Sequence, residues 1–304
     1  MRLDLDALTV AVPPGDLART RAFHAARPAG RGPAGPDELY AARAAAPPPR
    51  PADPPARDDV AVADGRRVPI RITSPPVPAR GVLLEIHGGG FYLGSAAQSD
   101  VRNRALADAL GVAVVAVDHR LAPEHPWPAA PDDCATAAVW LLDHAQARFG
   151  TGRVAVTGTS AGATLAVTTL LRLRERGLAH RVAGAELRYG TYDLSATTPA
   201  GRRIADEWFL QAYAGHVADR TRHDVSPVFA DLSGLPPLLM TAGTRDVLLD
   251  DGLAMAARLV AAGVEADLRL YPDVPHGFAG HDTPVAALAR AHARDWLAAR
   301  LAGG

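Results

Sequence analysis

Val154-Ala-Val-Thr-Gly-Thr-Ser160-Ala-Gly162 is the stretch on which the fold turns. Val154 to Thr157 read as a short buried strand, and the run beyond Gly162 through Leu165, Leu170 and Leu171 reads as an apolar helix. The pattern Gly158-x-Ser160-x-Gly162 between them fits a sharp strand-to-helix turn. Glycines two residues either side of the serine let strand and helix approach without a Cβ clash. The turn holds the serine in a strained backbone conformation with its hydroxyl exposed. The N–H of Ala161, opening the helix, can then face a developing oxyanion. The five-residue pattern alone is weak, and the strand before it and helix after it give it weight.

Working outward, short β-branched runs recur at Val60–Val62, Val68–Thr73, Val82–Ile86, Val112–Val117, Ala185–Tyr189, Leu238–Thr241 and Leu268–Tyr271. Helical patterns lie between them at about 96–110, 133–148, 161–177, 247–262 and 284–301. Strands alternating with helices predict an α/β fold: a mostly parallel sheet of eight strands with helices on both faces. Asp64-Gly65 leaves no room for a helix between the first two strands and predicts a hairpin, so the sheet starts antiparallel. The alternation lapses between Tyr189 and Pro236, where one aromatic-rich helix is expected over Ile204 to Tyr213. A long interruption of this kind is usually a functional insertion or lid.

Glycine and proline, 28 and 26 of 304 residues, exceed average usage, while 48% of the chain is hydrophobic, enough for a large core. Most of the prolines precede Arg80, and the run from Pro47 to Pro55 can neither continue a helix nor join a central strand. Residues 1–46 ahead of it carry weak helical patterns, with Asp16 as an N-cap before Leu17 to Arg27 and Pro36-Asp37 opening a second segment. The domain reading is therefore an N-terminal cap segment and linker over 1–56, a core over 57–189, a cap insertion over 190–235, and the rest of the core over 236–304. Residues 1–46 are expected to be a mobile lid.

Charge is nearly balanced, 32 basic residues against 33 acidic, and every basic residue is Arg, which reads as compositional bias. A nucleic-acid partner is disfavoured, because such proteins carry a basic excess or stripe. No apolar run reaches the length of a membrane span, and Asp4 and Asp6 interrupt the place where a signal peptide would need its apolar stretch. These features predict a cytoplasmic chain. Cys134 is the single cysteine, which rules out an intramolecular disulfide and a Cys-rich metal site; a buried helical thiol is expected.

A serine is a poor nucleophile unless a base takes its proton and a third group orients that base. Downstream, Asp246 follows the strand Leu238–Thr241, and His276 stands in the loop after the last strand. Both fit the carboxyl edge where open α/β sheets build their sites. Asp250 and Asp251 fall at the start of a helix, where acidic residues are ordinary dipole partners; Asp273 is the serious rival for the acid. His144, His180 and His292 are expected on polar helix faces or in loops without partners. Ile86-His87-Gly88-Gly89-Gly90-Phe91 follows a strand, and three consecutive glycines make sense where backbone N–H groups must approach a ligand. His87 reads as a structural hydrogen-bonding residue. Asp118, Arg120 and Glu124 read as an Arg–carboxylate network fixing a loop beneath the site. Tyr92, and less securely Trp208, Phe209 and Tyr213, are candidates for a substrate pocket.

His87-Gly-Gly-Gly90, Asp118-His-Arg-Leu-Ala-Pro-Glu124-His-Pro-Trp-Pro-Ala, Gly158-Thr-Ser-Ala-Gly162, Asp246-Val-Leu-Leu-Asp-Asp and His276-Gly-Phe together resemble the hormone-sensitive-lipase-like family of α/β-hydrolase esterases, in its Gly-Thr-Ser-Ala-Gly subgroup. The likeness runs from about residue 60 to 302 with the motifs in the family's order. It implies the α/β-hydrolase fold with a helical cap, Ser160 as nucleophile with Asp246 and His276 as partners, and an oxyanion hole from the N–H groups of Gly89, Gly90 and Ala161. It also implies a cap from the N-terminal segment and the insertion after Tyr189. His119 stands where the family usually has Tyr, and Ala163 replaces a frequent third Gly. The expected activity is a serine carboxylesterase acting on a short- to medium-chain small-molecule ester, with no cofactor and no metal; a homodimer is left open. Rival readings are an amidase, lactonase or acyl transferase with the same triad, and a ligand-binding receptor on the same scaffold.

Overall fold

The computed structural model describes residues 5–27 and 30–302. Its centre is an eight-stranded sheet: β1 (Arg57–Ala63), β2 (Arg66–Thr73), β3 (Val82–Ile86), β4 (Ala113–Val117), β5 (Val154–Thr159), β6 (Val182–Arg188), β7 (Leu238–Gly243) and β8 (Ala266–Tyr271), in the order β1-β2-β4-β3-β5-β6-β7-β8. The β1–β2 hairpin turns on Asp64 and Gly65, whose φ values of 49° and 73° suit a two-residue turn with both central residues left-handed. β2 also pairs antiparallel with β4, and every pair from β4 to β8 is parallel. The β3/β5 pair at the centre sets Ile86 opposite Gly158, so the glycine loop and the serine turn leave the sheet side by side.

The central strands are apolar throughout because both faces are covered. Their two-residue period divides them between two cores. Val82, Leu84 and Ile86 of β3, with Val115 and Val156, enter the main cluster, which includes Trp140, Leu141, Leu165 and Leu170. These last four belong to helices α5 (Ala129–Phe149) and α6 (Ala161–Glu175), and α8 (Leu249–Ala261) adds Met255 and Leu259 to the same cluster. Leu83, Val114 and Ala155 point the other way and pack with Leu106 of α4 (Asp100–Leu110) and with Trp296 and Leu297 of α9 (Pro284–Leu301).

The N-terminal segment holds α1 (Leu5–Leu8), α2 (Pro14–Ala25) and α3 (Pro36–Ala45). Pro13, not Asp16, occupies the N-cap of α2; Asp16 sits in the first turn, where it pairs with Arg19. The described part of residues 1–46, expected to be a mobile lid, is docked on the core. Val10 donates to the Leu270 carbonyl at 2.8 Å, α2 packs on α9, and Leu39 of α3 is wholly buried in the main core. Pro47 to Pro55 form no helix or strand. In the insertion, the helix expected over Ile204–Tyr213 is shorter: a 3-10 turn at Gly201–Ile204 is followed by α7 (Trp208–Ala214). Among the described residues no helix is long and apolar enough to cross a membrane.

Candidate active site

Four loops that leave the carboxyl ends of parallel strands meet over the middle of the sheet, where open α/β sheets place their ligands. β3 runs into His87–Gly90, β5 into Ser160, β7 into Asp246 and β8 into His276. Ser160 adopts φ 54° and ψ −124°, a conformation that side chains rarely take, and its N–H donates to the Arg188 carbonyl at 2.8 Å. The flanking glycines make the turn possible. A Cβ at Gly158 would lie 2.3 Å from the Gly162 carbonyl oxygen, and one at Gly162 would lie 2.2 Å from that of Ile86.

Ser160 Oγ is 3.0 Å from His276 Nε2, and His276 Nδ1 is 3.1 Å from both carboxylate oxygens of Asp246. The Asp246 side chain is fully buried, and its Oδ1 also accepts the Leu248 N–H at 2.9 Å. The ring of Tyr189 meets His276 edge to face at 5.1 Å, which limits how the imidazole can tilt. Asp273 lies elsewhere: its carboxylate takes the guanidinium of Arg21, with Nε at 2.9 Å. Asp251 is buried behind the insertion, accepting the N–H groups of Tyr192 and Asp193, and burial raises its carboxyl to about 6.

Beside the serine, Gly89 has φ 123°, and a Cβ there would stand 2.2 Å from the Leu93 carbonyl oxygen. That oxygen belongs to the turn closed by the Leu93 N–H on the Gly89 carbonyl at 2.8 Å. Among the described residues no backbone acceptor takes the N–H of Gly89 or Gly90. His87 supports this loop from below. Its Nδ1–H donates to the Gly88 carbonyl at 2.8 Å, and its ring stacks on His119 at 4.1 Å. Burial pushes His87 down to about 4 and His119 to about 3, so both rings are neutral at pH 7. His119 thus offers a flat neutral ring to stack on.

The cleft over Ser160 measures about 560 Å³. Its walls include Tyr92, Leu93, Gln98, Arg102, Tyr189 and His276, with Gly32 of the N-terminal segment. Tyr92 stands where the sequence suggested, its ring stacked against Trp208 at 5.7 Å and its phenol raised to about 12 by burial. Trp208 and Phe209 back Tyr92 from behind and do not line the cleft itself. Tyr213 is a correction: it is buried, stacks on Phe91 at 4.0 Å and belongs to the core beneath the insertion.

The charged cluster after β4 also differs from expectation. Arg120 pairs with Asp133 of α5 at 2.8 Å, and Glu124 takes Arg43 of α3 at 2.6 Å. Asp118 accepts the Ala96 N–H at 2.8 Å. The three residues therefore tie one loop to three separate elements. Arg43 also donates to the carbonyls of Tyr92 and Ala122, so it clamps the N-terminal segment to the cleft wall. His144 and His292 do have partners, the Trp140 carbonyl at 2.7 Å and the Tyr271 hydroxyl at 2.9 Å. Cys134 is wholly buried, and burial drives its thiol up. No local sequence pattern marks Gly32, Gln98, Arg102 or Tyr189 for the cleft, since each arrives there through long-range packing.

The profile of a family described as alpha/beta hydrolase fold matches residues 83–280. The carboxylesterase NlhH of Mycobacterium tuberculosis is 34% identical over 250 residues, covering 77% of this chain and 78% of that protein. An ethyl acetate hydrolase of Pseudomonas putida is 35% identical over 233 residues, covering 71% and 72%. Among solved structures, a bacterial heroin esterase superposes with a TM-score of 0.75 at 32% identity, covering 82% of this chain and 84% of that one.

Proposed function

This chain belongs to the alpha/beta hydrolase family, among its hormone-sensitive-lipase-like esterases, and from that premise we propose that it is a serine carboxylesterase that works through Ser160, His276 and Asp246. The observation that carries the reading is the unbroken relay from Ser160 Oγ to His276 Nε2 at 3.0 Å and from His276 Nδ1 to a fully buried Asp246 at 3.1 Å. Asp246 keeps the proton on Nδ1, which leaves Nε2 free to accept the serine proton.

In the proposed cycle His276 takes that proton as Oγ adds to the ester carbonyl carbon. The carbonyl oxygen becomes an oxyanion facing the N–H groups of Gly89, Gly90 and Ala161, donors held in place before the reaction starts. As the tetrahedral intermediate collapses, the carbon–oxygen bond to the alcohol breaks and His276 gives that alcohol its proton. Water then repeats the sequence on the acyl-serine and releases the acid. No cofactor or metal enters this scheme.

A cleft of about 560 Å³ walled by Tyr92 and Leu93 supports a short- to medium-chain ester as substrate. The N-terminal segment and residues 190–235 serve as the cap in this reading, supported by Gly32 and Trp208, which meet Tyr92 from those two segments. Balanced charge and a single buried thiol support a cytoplasmic enzyme without a nucleic-acid partner. The test is turnover of p-nitrophenyl acetate and butyrate by Ser160→Ala. Activity should vanish while the thermal unfolding midpoint is retained; normal turnover by the variant would sink the assignment.

A further inference from the structure

A second recess, of about 110 Å³, is lined by none of Ser160, His276 and Asp246. Four arginines border it: Arg102 from α4, Arg188 from the end of β6, and Arg290 and Arg294 from α9. Ala105, Leu106 and Ala293 supply its apolar lining.

Two of these charges are balanced. Arg188, buried to 7% exposure, gives Nε to Glu186 at 2.7 Å, and Thr157 holds the other oxygen of that carboxylate at 2.6 Å. Arg102 pairs with the buried Glu85 and reaches Ser99 Oγ at 2.9 Å. The other two are not balanced in the same way. Arg290 donates Nη1 to the carbonyls of Ala279 and His281 at 2.7 and 3.0 Å, bonds that satisfy donors without cancelling charge. Arg294 has no carboxylate within ion-pair reach among the described residues. Asp282 acts on Arg290 from outside, yet burial and the charges of Arg188 and Arg294 still lower its guanidinium. Arg102 Nε is buried without a partner, as is Oε2 of Glu85, a residue that does not line the recess.

Like charges gathered in a partly desolvated recess repel one another unless an anion joins them, and planar guanidinium forks match oxyanions closely. We propose that this recess is a binding site for a small oxyanion of the phosphate class, held by Arg290 and Arg294 with Arg102 and Arg188 as its inner wall. Arg102 borders both this recess and the ester cleft. The Arg188 carbonyl accepts the Ser160 N–H, so the proposed site shares a residue with the serine turn.

The test is calorimetric titration of the full-length protein with inorganic phosphate, against sodium chloride at matched ionic strength. Phosphate should bind saturably at one site per chain and raise the thermal unfolding midpoint, and chloride should do neither. Arg294→Gln should weaken phosphate binding tenfold or more. Ala105→Glu, at an exposed position on the rim, supplies a carboxylate of the protein's own and should abolish binding with the chain still folded. Each variant is first shown to unfold cooperatively. Phosphate heats no different from chloride, or wild-type affinity in both variants, would overturn the proposal whatever the outcome for the esterase reading.

Discussion

Replacing Asp246 by asparagine changes one atom's identity and leaves the volume of a buried side chain almost untouched. Its effect follows from two hydrogen bonds. Oδ1 accepts the Leu248 N–H at 2.9 Å, and both oxygens stand 3.1 Å from His276 Nδ1. An asparagine keeps its oxygen on the Leu248 N–H, since burying an NH2 group against another N–H leaves two donors facing each other. Its amide nitrogen then faces His276 and donates to Nδ1. The imidazole proton is forced onto Nε2, the nitrogen that must take the proton of Ser160. The nucleophile loses its base through the wrong tautomer, a change that lowers kcat by about 10⁴-fold. That is about 5.4 kcal/mol in the barrier. Asp273→Asn supplies the contrast. Its carboxylate is tied to Arg21, both side chains are at least a third exposed, and such pairs contribute at most about 1 kcal/mol, so kcat should stay within a factor of about five. Steady-state kinetics on p-nitrophenyl acetate, with melting curves for both variants, decide the matter. A loss below tenfold in Asp246→Asn, or equal losses in the two variants, would refute the reasoning.

Two further outcomes are expected. Gly89→Ala places a Cβ 2.2 Å from the Leu93 carbonyl oxygen at φ 123°, so the loop must shift and the oxyanion donors with it. A fall in kcat of about 10²–10³ with little change in KM is expected, and wild-type kcat would show that these N–H groups do not meet the oxyanion. The buried pair His87 and His119 should make the fold acid-labile. Their folded pKa values, about 4 and about 3, lie below the ordinary 6.5. Their stabilising contribution is complete above pH 6.5 and is lost as pH falls towards those values, at about 1.4 kcal/mol per pH unit for each ring. Between pH 6 and 5, urea denaturation of His119→Phe should show a shallower pH slope than wild type, by about one ring's worth. An unchanged slope would mean that His119 is already protonated in the folded state.

Much of this could be read locally. Six of the eight strands match the expected runs to within two residues at either end, because a strand buried on both faces writes a short β-branched run into the chain. β1 and β6 are the exceptions: each begins three residues before its expected run, at Arg57 and at Val182. Arg57, Asp58 and Asp59 hide the start of β1 from a hydrophobic pattern, and Gly184 interrupts the apolar pattern near the start of β6. The insertion was least legible, since α7 spans seven residues and depends on packing for its limits.

The sequence by itself determined the α/β alternation, the serine turn between two obligatory glycines, the glycine loop after β3 and the order serine, acid, histidine. These are set by backbone sterics and by periodicity over a few neighbouring residues. Tertiary structure decided what distance along the chain conceals. It chose Asp246 over Asp273 as the partner of His276, sent Tyr213 to the core and left Tyr92 at the cleft. It also docked the N-terminal segment through Arg43 and gathered four arginines from three elements around one recess. In each case the choice depends on which loops close near one another in space, and no local pattern of residues carries that information.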